Sequence, residues 1–220
     1  MAVNKDIFQA AKDGDLQMVT SLVSESSENI RPEDEHEYMP LHYAACNGHI
    51  DIVDFLLNKG ASMMDRVRHS QDAPIHLAAS CGKSNVIEYL LRRNDAFNER
   101  EEQINVRNRQ QETPLHKAVL TGHIEATLTL LDMGADMEAQ TLGGSTALHI
   151  AAQNADIELA MLLLERGADP NVRDLCDNHG ATPAWYFLKN DIIQGNLTAE
   201  QRDKYARVTE LLKERGGIID

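Results

Sequence analysis

Short apolar stripes punctuated by glycine give this chain its first legible pattern. In the segment that begins at Thr113, Leu115, Ala118 and Val119 recur at helical spacing and fall on one face. Gly122 interrupts that run. A second helical stretch, Ile124 to Asp132, carries Leu128, Leu130 and Leu131 toward a core, and Gly134 can supply the positive φ that stops it. Thr113 can cap the first helix through its hydroxyl, and Pro114 at the first helical position lacks an N–H that would be unpaired there in any case. The prediction is two short antiparallel helices, followed by an extended turn bracketed by Ala135-Asp136 and Gly143-Gly144. Small residues on the first helix allow the next unit to approach closely.

The same phrase returns. MPLHYAACNGHIDIVDFLLNKGA runs from Met39, APIHLAASCGKSNVIEYLL from Ala73, TPLHKAVLTGHIEATLTLLDMGAD from Thr113 and TALHIAAQNADIELAMLLLERGADPN from Thr146. A degenerate fifth copy, TPAWYFLKND, begins at Thr182, and FQAAKDGDLQMVTSLV around Phe8 matches the middle of the phrase without its opening, as an N-terminal cap would. His42, His76, His116 and His149 are about 34, 40 and 33 residues apart, close to a period of roughly 33. The long gap places an insertion of about seven residues within Asp95 to Gln103, and a shorter insertion lies in Leu175 to His179.

This phrase resembles the ankyrin repeat, Gly-x-Thr-Pro-Leu-His-x-Ala-Ala-x-x-Gly-His ending in Leu-Leu-Leu-x-x-Gly-Ala-Asp-x-Asn, over about Asp6 to Gly217. The resemblance implies an all-α solenoid of antiparallel helix pairs joined by extended β-turn or hairpin loops. It would form a single domain over 1–220, with an N-terminal cap at about 5–37, repeats at about 38–71, 72–111, 112–144 and 145–180, and a C-terminal cap at about 181–217. Met39 and Ala73 depart from the capping Thr, Asn94-Asp95 from Lys-Gly, and Asn154-Ala155 from Gly-His. Each departure weakens a cap worth roughly 1 kcal/mol and leaves the fold intact.

Charge and composition narrow the function. A formal net charge of -14 argues against nucleic acid and anionic membranes, which draw on clustered Lys and Arg. No segment approaches the roughly 20 apolar residues of a membrane span, and the N-terminus lacks the basic-then-apolar order of a secretory signal. The expectation is a monomeric protein of the cytoplasm, with the nucleus, or a host cytosol for a secreted effector, as further compartments. Cys46, Cys81 and Cys176 are odd in number and without a CxxC spacing, which fits a reducing compartment better than a disulfide framework.

The resemblance also assigns most of the chemistry-bearing residues to structure. It implies that His42, His76, His116 and His149 hydrogen-bond backbone in the adjoining turn, while His49 and His123 fill the turn between helices. One histidine per repeat spaces them too widely for a shared metal, so no metal and no cofactor are expected. A cysteine-dependent hydrolase built on Cys46 or Cys81 is a remote alternative, since nothing marks an oriented base or an oxyanion hole. The leading expectation is a non-catalytic scaffold or adaptor that binds a protein, one with a basic surface given the negative field, on the concave face of the stack. A regulatory module of a larger signalling or effector protein is the alternative.

Position by position, the resemblance puts Tyr38, Cys46 and Asn47 on that face in the first full repeat, and Asp72, Ser80 and Cys81 in the second. The third contributes Arg109, Gln110, Glu112, Leu120 and Thr121; the fourth, Leu142, Ser145, Gln153 and Asn154. The turn from Met63 to His69 is locally basic and carries Met64, Arg66 and Arg68, which reads either as a contact finger or as drift in an exposed loop. Trp185, within Trp185-Tyr186-Phe187, reads either as the seal of a terminal cap or as an aromatic anchor. The long segment Thr198 to Arg215, with Tyr205, Val208, Leu211 and Leu212 on one face, supplies the second helix of that cap. NEREEQ, from Asn98 to Gln103, reads as a solvated helix extension or loop. Asn171 matches the turn asparagine that the family can present to an asparaginyl hydroxylase, beside its plain role of tying the turn.

Overall fold

The computed structural model of the chain describes residues 6–93, 97–175, 180–186 and 198–217. Asn94-Asp95, Cys176 and Phe187, named above, lie outside the described residues.

The helices come in pairs, as the glycine-punctuated stripes predict. They are α1 (Ile7–Asp13) with α2 (Leu16–Glu25), α3 (Pro40–Asn47) with α4 (Ile50–Asn58), α5 (Pro74–Ser80) with α6 (Ser84–Arg93), α8 (Pro114–Leu120) with α9 (Ile124–Asp132), and α10 (Ala147–Gln153) with α11 (Ile157–Glu165). Between the second and third full repeats stands α7 (Phe97–Ile104), which fills the insertion expected there. The last described helix, α12 (Ala199–Glu214), packs on α11. No strand forms among the described residues.

The first helices of each pair make an inner row in which α1 packs on α3, α3 on α5, α5 on α8 and α8 on α10. The side chains that meet there are small: Ala10, Ala11, Ala44, Ala45, Ala78, Ala79, Ala118, Ala151 and Ala152 are fully buried, and Val119 is the one larger member of the series. Cβ-sized contacts let these helices approach closely. Larger residues of the first helices, Leu41, Ile75, Leu115 and Leu148, are buried in one continuous core with Leu56, Leu90, Leu130 and Leu163 from the second helices. Each such side chain contributes about 1.5–3 kcal/mol relative to an exposed one. In α9 the fully buried set is Ala126, Thr127 and Leu130, whereas Leu128 and Leu131 are only half-buried. Leu130 and Leu131 thus meet the core as expected, while Ala126 and Thr127 take the place expected for Leu128.

The helix pairs are joined by fingers that each close with one backbone bond. The N–H groups of Asp34, Val67, Asn108, Thr141 and Asp174 donate to the carbonyls of Tyr38, Asp72, Glu112, Ser145 and Ala181, each at 3.0 Å. Just before each closing carbonyl the chain turns through positive φ, at Glu37, Gln71, Gln111, Gly144 and Gly180. The second finger is one residue longer than the first, which accounts for the spacing from His42 to His76.

Candidate interaction surface

The ladder histidines set the positions of the fingers. The Nδ1 atoms of His42, His76, His116 and His149 accept the backbone N–H of Met39, Ala73, Thr113 and Thr146 at 3.0–3.1 Å. Each Nε2 lies 3.1–3.2 Å from a carbonyl of the following finger: Asp65, Glu112, Ser145 and Ala181 in turn. An accepting Nδ1 and a donating Nε2 define the neutral imidazole with its proton on Nε2. Burial pushes all four rings below the ordinary histidine value, His76 to about 4. The histidine accepts the backbone N–H of the capping position whether that residue is Met39, Ala73 or threonine. The Thr113 hydroxyl does not cap the helix directly and instead meets His116 Nδ1 at 2.9 Å.

Neighbouring fingers are tied to one another along their tips. Arg109 N–H donates to Ser70 carbonyl at 2.9 Å, Leu142 N–H to Gln110 carbonyl at 2.8 Å, and Leu175 N–H to Gly143 carbonyl at 2.8 Å. One arginine rung repeats beneath them: Arg66 donates to the carbonyls of Gln71 and Arg107, and Arg107 to those of Gln111 and Gln140. The candidate surface is thus one ribbon of tips beside the exposed ends of the inner helices.

The sequence-derived candidates divide sharply on this ribbon. Leu142 is 64% exposed, Leu120 44%, Met64 43% and Trp185 39%. Asn47, Arg109, Gln110, Thr121, Gln153 and Asn154 are also exposed, although Asn154 reaches back to the Leu120 carbonyl at 3.3 Å. Others point inward. Asp72 is buried; its carboxylate accepts from Asn108 Nδ2 at 2.8 Å, and Lys117 Nζ stands 3.9 Å away. Glu112 accepts from the same Asn108 amide and lies 3.6 Å from Lys117. Tyr38 packs edge-on to His42 and against Tyr43, Ser80 donates to the Leu77 carbonyl, and Ser145 lends its carbonyl to His116.

The basic turn of the second finger is met within the chain. Arg68 pairs with Glu33 at 2.6 Å, His69 with Glu37 at 2.7 Å, and Arg31 of the first finger reaches Asp65. Burial raises the Asp34 carboxyl, but the Tyr43 hydroxyl and the N–H groups of Tyr38 and His36 outweigh it and hold Asp34 below the usual carboxylate range. At the far end, Trp185 packs edge-on against Tyr186 with ring centroids 5.1 Å apart, and Tyr186 donates its hydroxyl to Asp174. Asn171 is half-buried and donates its amide to the Gly216 carbonyl at 3.1 Å.

Two features escaped the sequence reading. Leu175, 72% exposed, belongs to this ribbon; it sits inside the short insertion, where repeat equivalence gives no position to read it from. Cys46 and Cys81 are joined by a disulfide, which corrects the expectation of unpaired thiols. With both sulfurs in that bond, neither presents the free thiolate that a cysteine nucleophile needs. Among the described residues, no cluster of three or more His, Cys, Asp or Glu is arranged to hold a metal ion, and no helix is long and apolar enough to cross a membrane.

A comparison with curated proteins gives no match. The family model for ankyrin repeats matches in three overlapping copies, at residues 7–102, 67–141 and 96–174.

Proposed function

Since the chain belongs to the ankyrin repeat family, whose repeats generally serve as protein–protein interaction modules and are typically non-catalytic, we propose that it is a scaffold or adaptor that holds a partner protein on its finger ribbon and inner-helix face. One observation carries the reading furthest. Large apolar side chains stand exposed along this face in its C-terminal half, with Leu142 and Leu175 on adjacent tips and Leu120 at the end of an inner helix. Exposed apolar groups rimmed by polar ones, here Gln110, Gln153 and Asn154, are the usual composition of a contact patch. A rigid ribbon also presents them without an ordering cost at the moment of binding.

Among the charged candidates, Arg109 is exposed, whereas Arg66 and Glu112 bond within the fingers. The net charge of -14 favours a basic partner and speeds its approach. The chain acts as a monomer, and its compartment is one that holds such a partner, the cytosol or the nucleus.

The test is affinity capture with the parent chain and a Leu120→Ser, Leu142→Ser, Leu175→Ser variant, matched for helicity by circular dichroism. A partner held by the parent is expected to fall at least tenfold on the variant. Equal retention by the two proteins refutes this face as the contact.

A further inference from the structure

The register of the inner row brings two particular positions together at successive junctions. The residue four past the ladder histidine in one repeat faces the residue five past the histidine in the next. Leu120 and Asn154 stand in this relation, and their contact is the 3.3 Å bond from the Asn154 amide to the Leu120 carbonyl. Cys46, four past His42, and Cys81, five past His76, occupy the same two positions one end of the array away. In this register, with the bond formed, their Cα atoms lie 5.3 Å apart, within the usual span of a disulfide. Both residues are half-buried rather than enclosed, at the last turn of α3 and just past α5.

We propose that Cys46 and Cys81 form a reversible thiol–disulfide site whose reagents are low-molecular-weight disulfides and thiols of the glutathione class, and that its closure locks the first two full repeats together. In the closing direction one cysteine thiolate attacks a sulfur of the oxidised reagent. It forms a mixed disulfide and releases one thiolate. The second cysteine, already in register, attacks the protein sulfur of that mixed disulfide and releases the second. Two protein thiols are oxidised and one reagent disulfide is reduced to two thiols, with two protons passing to them. Two equivalents of reducing thiol reverse the sequence. The bond closes a segment of 35 residues that contains α4, the second finger and α5. Closing it removes freedom from the unfolded chain, so these repeats should resist opening more when oxidised than when reduced. Sulfur occupies both positions at this junction alone among the full repeats, because the next pairs are Ser80 with Thr121 and Leu120 with Asn154.

The full chain is equilibrated with glutathione disulfide or with dithiothreitol, alkylated, and mapped by peptide mass spectrometry, and the urea midpoint of each form is read by circular dichroism. The expected result is a linked Cys46–Cys81 peptide pair in the oxidised sample that disappears on reduction, with Cys176 alkylated throughout. A higher urea midpoint should accompany oxidation in the wild-type chain and be absent in Cys46→Ser and Cys81→Ser. The proposal fails if the oxidised chain keeps both thiols alkylatable or stops at a glutathione adduct. It fails equally if either cysteine links to Cys176 or to another chain, or if closing the pair leaves the midpoint unchanged. The peptide map needs only the wild-type protein, so misfolding of a variant does not obscure it, and no binding partner enters either reading.

Discussion

The four ladder histidines tie the helix starts to the fingers only while neutral, because a protonated ring cannot accept the N–H that each Nδ1 receives. Their folded pKa values lie below the unfolded value of 6.5, so the unfolded chain takes up protons first as pH falls. Stability from this source is complete above about pH 6.5 and is lost progressively toward about 4, where His76 itself titrates. Urea midpoints measured across that range should fall steadily from the upper to the lower end, and a flat profile would contradict the lowered pKa of these rings. A second residue-scale constraint sits at Gly82, where φ is +68° and an added Cβ would lie 2.7 Å from the ring of His123. That ring is held by its bond to the Ser80 carbonyl. Gly82→Ala should cost at least about 1 kcal/mol in chemical denaturation, since left-handed geometry alone costs an ordinary residue roughly that much.

At the scale of the element, the fingers are stabilised by side chains that turn back into them. Asn108 is buried, accepts the N–H groups of Gln110 and Glu112, and donates to Asp72 and Glu112, thereby joining the second finger to the third. Asn108→Ala leaves several of these groups without partners and should lower stability by about 1–3 kcal/mol. Hydrogen exchange should rise first at Gln110 and Glu112, and uniform exchange across the chain would argue against a local role. These elements were unequally legible. The Thr-Pro-Leu-His starts and the Gly stops read directly from the chain because capping and chirality act within a few residues. The insertion that became α7 was visible as a gap in the period, although spacing alone does not say that it forms a helix. What the sequence hid were contacts between repeats. Asp72 and Glu112 look like exposed tip residues until Asn108 and Lys117 are seen beside them, and the partners of Arg68 and His69 lie more than thirty positions earlier, at Glu33 and Glu37.

Across the whole molecule, each repeat buries its apolar faces against its neighbours, so local damage should remain local. Leu163 is fully buried in α11, against which α12 packs. Leu163→Ala should cost about 2–5 kcal/mol and release amide protection in α10, α11 and α12 while α3 to α5 keep theirs. Loss of protection in every helix at once would instead mean that the array unfolds as one unit. The histidine ladder also gives the array a direction. Each ring bonds within its own repeat on one side and to the next finger on the other, ending with His149 on the Ala181 carbonyl. Removal of α1 takes an acceptor from none of these four rings but takes the Lys12 carbonyl from His49, whereas a chain ended before Ala181 takes from His149 the carbonyl that lies 3.1 Å away. The array is therefore laced in both senses, forward by the ladder rings and backward by His49 on the Lys12 carbonyl and His123 on the Ser80 carbonyl, so a repeat lost from either end takes an acceptor from a ring in its neighbour.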